Sequence, residues 1–355
     1  MTSLWRWRGF GAVRFLVVAL AVVLLAAAAA GCGGDDDGGG EGAATAEQAG
    51  EEQAGGEDVQ RIAFFGFAAA NSFAQATWAG VQEVAKREGV EARFFDPNFD
   101  AQKQVSQIQD AIASGQYQAF IVQANDGNAV VPAVREAIDE GITVVGEFTP
   151  IGTRYDTIEP QVDGLIFVGE PPTENGEALA QMAIDACEGT DPCRVVYFEG
   201  FKALPLDNAR TNAFKEKLAT ADNTQLIASV EGGYTQESGR RAAQDVLQAH
   251  PRIDVIVGSS QAIQGAEQAI ADAGRQAQIK LIGNGGSKQA VNAVKGGRWF
   301  GTYVIAERSA GAKAAELAIS AARGDDVPES FDTRELQEPV GTKENLGDFE
   351  GQYSD

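Results

Sequence analysis

The sequence predicts an α/β protein of two lobes, each a mainly parallel sheet covered by helices on both faces. Two observations predict it. From Arg61 onward, short runs that are apolar on both faces alternate with stretches whose apolar residues recur at spacings of three, four and seven. The alternation also occurs twice, divided by an irregular interval from Pro150 to about Gly164. With roughly 300 residues available for folding, two domains of ordinary size are expected.

In the first unit, IAFFGF precedes a helical pattern with Phe73, Val81, Val84 and Ala85 on one face. RFF then leads to Val105, Ile108 and Ile112, and AFIVQA to Val130, Val134 and Ile138. In the second unit, VVYFEG leads to Phe214 and Leu218, LIASV to Ala242, Val246 and Leu247, DVIVGSS to Ile263, Ala266 and Ile270, and KLIGNG to Val291 and Val294. The segments Ala119 to Gly141 and Asp254 to Gly274 share one layout of strand, polar turn, helix and closing Gly, which supports two similar lobes. Ligands of open parallel sheets lie at the carboxyl ends of the strands. The candidate site is therefore the set of segments after the strands: AAANSF, GEFTP, ALPLDNAR, EGGYT, GSSQ and GNGG.

The N-terminal residues read as an address. Arg6, Arg8 and Arg14 precede the apolar run Phe15 to Ala30, the pattern of an export signal. The run ends in Ala29-Ala30-Gly31-Cys32, which resembles the lipobox of bacterial lipoproteins, although Ala29 stands where Leu is usual. Residues 1–31 are thus expected to be a lipoprotein signal peptide and Cys32 the acylated residue. Residues 32–58 hold no aromatic residue, no Ile, Leu or Val and no positive charge, and are expected to be a disordered acidic linker. The formal charge of -23 argues against nucleic acid as a partner.

Chemistry-bearing residues are few. Cys187 and Cys193, in CEGTDPC, flank a turn and suit a disulfide in an oxidising compartment. No metal site is expected, since the single His, His250, is far from them in sequence. His250 falls between a helix end and the next strand, at the wrong edge for a catalytic triad, so no catalytic residue and no cofactor are assigned. The loop Gly283 to Lys288, GNGGSK, is the nearest approach to a phosphate cradle and matches no established phosphate spacing.

The order of pieces, from about Arg61 to Thr333, resembles the periplasmic sugar-binding proteins of the ribose and galactose type, the solute receptors of ABC importers. IAFFGFAAANSF, Asn208-Ala209-Arg210-Thr211, AHPRIDVIV and KLIG carry the resemblance. It implies two Rossmann-like lobes joined by three crossovers, near Val168 to Glu170, Ile305 and Asp332. The first lobe would hold residues 59–168 and 305–331, the second 169–304 and 332–345, with 346–355 as a tail. It further implies that Asn71 is a hydrogen-bonding ligand contact, Phe73 an aromatic platform, Arg210 a contact for ring or hydroxyl oxygens, and Tyr234 an aromatic of the second lobe. Glu147 is read as a partner for Arg210 or as a ligand contact, and Phe148, Ser259, Gln261 and Asn284 complete the candidate site.

Departures from the family pattern concentrate in the same loops. Glu147-Phe148 replaces an Asp-Arg or Asn-Lys pair, Ser259-Ser260 an Asn-Asp pair, Gly285 an acid, and Ile305 a hinge amide. The expected function is an exported, lipid-anchored receptor that captures a small polar solute and passes it to an ABC permease. The departures point to a ligand with fewer hydroxyl contacts than a pyranose. The alternatives are a ligand sensor that presents to a membrane receptor, and an exported enzyme using GNGGSK for a phosphorylated substrate.

Overall fold

A computed structural model describes residues 59–355. The expected signal peptide, Cys32 and acidic linker lie outside the described residues. The first run of elements is β1 (Arg61–Phe65), α1 (Ser72–Glu88), β2 (Glu91–Phe95), α2 (Ala101–Ser114), β3 (Ala119–Val122), α3 (Val131–Asp139), β4 (Thr143–Glu147) and β5 (Leu165–Gly169). The second is α4 (Pro172–Ala186), β6 (Cys193–Glu199), α5 (Pro205–Leu218), β7 (Thr224–Glu231), α6 (Gln236–Ala249), β8 (Val255–Ser259), α7 (Ser260–Asp272), β9 (Lys280–Gly285), α8 (Lys288–Lys295) and β10 (Gly301–Val304). Helix α9 (Glu307–Ala322), β11 (Ser330–Asp332) and β12 (Val340–Gly341) follow.

The strands form two sheets of the same topology, β11-β5-β4-β3-β1-β2 and β12-β10-β9-β8-β6-β7. All pairings are parallel except that of β12 with β10. The chain passes between the sheets three times: after β5, after β10 and after β11. The two segments with a shared sequence layout, β3–α3 and β8–α7, occupy the same position in their respective sheets.

Burial on both faces explains the unbroken apolar runs. In the first sheet Ile62, Phe64, Ile121 and Val145 pack with Val81, Val84 and Ala314 of α1 and α9. Their neighbours Ala63, Phe65, Phe120 and Val144 pack on the other face with Ile108 and Ala133 of α2 and α3. Helices α1 and α9 touch through backbone: a Cβ on Gly80 would strike the carbonyl of Arg308, and one on Gly311 the carbonyl of Thr77. Both sites therefore require glycine for close approach.

Cys187 and Cys193 are joined in a buried disulfide that ties the end of α4 to the start of β6, with Cα atoms 5.6 Å apart. Closing so short a loop contributes about 2 kcal/mol. Urea unfolding with and without reductant should show a loss of that order, and a Cys187→Ser/Cys193→Ser variant should be indifferent to reductant.

Residues 346–355, set apart in the sequence as a tail beyond both lobes, fold back against the molecule. Leu346 joins the core of the second lobe, and Tyr353 is buried. The Lys288 amide at the start of α8 donates to the Tyr353 carbonyl at 2.8 Å.

Candidate functional site

The carboxyl ends of the two sheets face one another across a cleft that retains a cavity of about 50 Å³. That is room for about three or four water-sized positions. Its walls come from the loops expected to form the site, and from several others.

On the first lobe, α1 begins at Asn71, whose Oδ1 accepts from the Ala74 amide at 2.9 Å. The cap fixes the helix start and leaves the Asn71 amide group at the cleft. Phe73, one residue into the helix, meets Phe148 edge to face at 4.9 Å and Tyr353 at 6.0 Å. Phe148 has φ +62°, a left-handed conformation costly for a bulky residue. It is held there by its own amide, which donates to the Val168 carbonyl at 2.9 Å. Phe99, also left-handed at φ +60°, stacks across the cleft on Tyr234 with centroids 6.4 Å apart. Phe67 closes the same wall, edge to face with Phe148.

On the second lobe, Asp207 and Arg210 lie one turn apart on α5, both at most 5% exposed, with Arg210 Nη1 3.3 Å from Asp207 Oδ1. The Tyr234 hydroxyl donates to Asp207 Oδ1, and the Phe201 amide to Oδ2 at 2.8 Å. Burial pushes the Asp207 carboxyl up, and the Arg210 charge opposes it. The guanidinium stands 5.9 Å above the Phe148 ring. Its Nε has no partner. Leu204, Leu206 and Ile305 supply aliphatic wall.

Two polar side chains of the first lobe are similarly unused. Both side-chain atoms of Asn125 and Oγ1 of Thr149 are buried without a partner. Such groups destabilise a folded protein unless something satisfies them. Gln261 reaches across the cleft to Ser72 Oγ at 3.1 Å, while Asn284 exchanges two hydrogen bonds with Asn175 at 3.1 and 3.2 Å.

Seven of the nine residues expected from the sequence border the cavity: Asn71, Phe73, Phe148, Arg210, Tyr234, Gln261 and Asn284. Two do not. Glu147, the last residue of β4, is turned beneath the cleft, accepts from Gln123 Nε2 at 2.9 Å, and is no partner for Arg210, which has Asp207 instead. Ser259 spends its hydroxyl on backbone, accepting from the Ala262 amide as the cap of α7 and donating to the Gly233 carbonyl at 2.8 Å.

Glu147 shares its buried site with Glu307, the first residue of α9. Thr77 Oγ1 donates to Glu307 at 2.6 Å and Gln123 Nε2 donates at 3.1 Å. Loss of water raises the Glu147 carboxyl to about 8, and burial, with the neighbouring Glu147 charge, holds Glu307 well above the usual carboxylate range. Shared burial and mutual repulsion thus favour the protonated form at this pair. At the crossovers, Tyr303 Oη donates to Glu170 at 2.8 Å, and burial raises Glu170 to about 7. Asp332 and Glu174 both engage Arg334 beside the third crossing.

The loop GNGGSK holds no open cradle. Ser287 caps α8 by accepting from the Ala290 amide, and the Lys288 amide is taken by Tyr353. Among the described residues, no three His, Cys, Asp or Glu side chains cluster to hold a metal ion.

A sequence profile of the periplasmic binding protein domain matches residues 62–326. The chain belongs to the periplasmic binding protein family. This binding protein is 26% identical over 206 residues to the D-ribose/D-allose-binding protein of Pseudomonas aeruginosa, covering 57% of this chain and 62% of that one. It is 23% identical to the ribose import binding protein of Bacillus subtilis, covering 74% of this chain and 81% of that one. Its fold superposes with a TM-score of 0.71 on an ABC transporter solute-binding protein from Mycobacterium smegmatis with bound glycerol, at 24% identity, covering 84% of this chain and 100% of that one. The ribose and galactose type of receptor read from the sequence, with two parallel-sheet lobes, is thus the type to which this binding protein is similar over most of its length.

Proposed function

We propose that this periplasmic binding protein is an exported, lipid-anchored receptor that captures a small, neutral, polyhydroxylated solute between its lobes and delivers it to an ABC importer, with no chemistry of its own. One observation carries the reading: buried, unpartnered hydrogen-bonding groups of both lobes, at Asn125, Thr149 and Arg210 Nε, stand among aromatic rings. A polyol has hydroxyls at its edge and C-H groups on its faces, and satisfies both kinds of surface. The Asp207 carboxylate offsets the Arg210 charge, which favours a neutral ligand. The relatives named for ribose and allose support the class. The few free polar groups and the small cavity favour a solute smaller or less hydroxylated than a pyranose.

A calorimetric and thermal-shift panel of ribose, allose, other pentoses and hexoses, xylitol, glycerol and myo-inositol tests the reading. Binding is expected within the polyol class, tighter for the smaller or less hydroxylated members. Tight binding of ordinary hexoses or ribose would refute the size argument, and silence across the panel would refute the class. The lipid anchor is tested separately, by mass spectrometry of the Cys32 peptide from membranes.

A further inference from the structure

Residues 351–355 lie across the mouth of the cleft and engage both lobes. On the first lobe, the Ser309 amide donates to Gln352 Oε1 at 3.0 Å, Gln352 Nε2 donates to Ser309 Oγ at 2.8 Å, and Ser72 Oγ donates to Asp355 Oδ1 at 3.3 Å. On the second, the Tyr353 carbonyl accepts from the Lys288 amide, Gln264 Nε2 donates to Asp355, and the Asp355 amide donates to Gln289 Oε1 at 3.2 Å. Gly351 sits so close to α8 that a Cβ there would strike the Lys288 nitrogen.

This seating drives Tyr353 into the cavity. Its side chain borders the space with Phe73 and Ile305, and the residue is 7% exposed. The hydroxyl has no hydrogen-bond partner within bonding geometry, and the neighbouring Ser260 hydroxyl donates to the Asn284 carbonyl at 3.1 Å. It lies over Gly285, which has φ +127° and whose Cβ, if present, would collide with the Tyr353 oxygen. A buried phenol without a partner is unfavourable unless a bound molecule completes it.

We infer that Tyr353 is a ligand-binding residue, whose hydroxyl meets a hydroxyl of the solute at the place left bare by Gly285, and that residues 351–355 are a wall of the binding site. The inference deepens the reading of the cleft as a polyol site and rests on it. Burial and the nearby Asp355 and Glu307 hold the phenol well above its usual pKa, so it stays protonated and can donate. The segment contacts both lobes only where these face each other as they do here, so the same residues that contact the solute also hold the lobes together.

The test uses Tyr353→Phe and Tyr353→Ala in the full chain, measured with the panel above. Tyr353→Phe keeps the ring and should weaken the best-bound member about tenfold with an unchanged melting temperature. Tyr353→Ala should weaken it further. Unchanged affinity in both variants overturns the inference while leaving the polyol reading intact. If no panel member binds, amide exchange decides the seating without ligand. Faster exchange at Lys288 and Ser309 in Tyr353→Ala than in the parent supports the wall, and equal exchange overturns it.

Discussion

Replacing Arg210 by Ala should abolish measurable binding of any solute found by the panel, a loss of at least about 100-fold, and should also destabilise the fold by about 3 kcal/mol. Both effects follow from one geometry. The guanidinium is buried, faces Phe148, and offers an unpartnered Nε to the cavity. Its removal leaves Asp207 buried with only Tyr234 and the Phe201 amide as donors. Adding Asp207→Asn to Arg210→Ala removes the stranded carboxylate. The double variant should recover much of the stability and none of the binding. Urea unfolding beside calorimetry separates the two, and a double variant that regains affinity would show that Arg210 acts only by holding Asp207.

The second large effect is on pH. Glu147 is raised to about 8 from an ordinary value of 4.5, and Glu307 is raised with it. A carboxyl whose folded pKa is raised favours folding below its unfolded pKa, and that contribution fades as pH rises toward the folded value. The parent should therefore lose stability through this pair as pH rises from about 4.5 toward about 8. Glu170, raised to about 7, adds in the same direction. Glu88, Glu199 and Asp332 are lowered and act oppositely, since their contribution is lost as pH falls. The difference between parent and Glu147→Gln isolates the pair. The variant should gain on the parent steadily from pH 5 to pH 8, and parallel curves would show that no proton is held there.

The fold was legible because buried parallel strands and amphipathic helices have different periods, and the period changes on schedule along the chain. The cleft was legible as a set of loops, because strand ends in such sheets converge. Single side chains were less so, since their direction at a strand end depends on backbone angles that composition does not reveal. Glu147 and Phe148 are adjacent, yet the left-handed turn at Phe148 sends its ring into the cleft while Glu147 remains under the sheet. Ser259 likewise ends a strand and starts a helix, and the cap claims its hydroxyl. Phe99 stood in a Pro-Asn turn, DPNFD, where a large aromatic without a core to enter was itself a signal. Asn125 follows β3 in a loop whose polar residues carry no pattern of their own. Asp207 lies in ALPLDNAR one helical turn before Arg210, a spacing that pairs the two side chains. Tyr353 could not have been found this way, because nothing local in a polar stretch far along the chain tells which cavity it will fill.

The glycine contact between α1 and α9 has a mechanical consequence. Side chains that interdigitate can slide or repack, but two helices whose backbones touch at Gly80 and Gly311 have almost no compliant layer between them. Helix α9 begins directly after the second crossover, and α1 opens on its cap Asn71 with Phe73 in its first turn. Torque arising at that crossover is therefore delivered to the cleft-facing end of α1 with little damping, as if the two helices were one stiff lever.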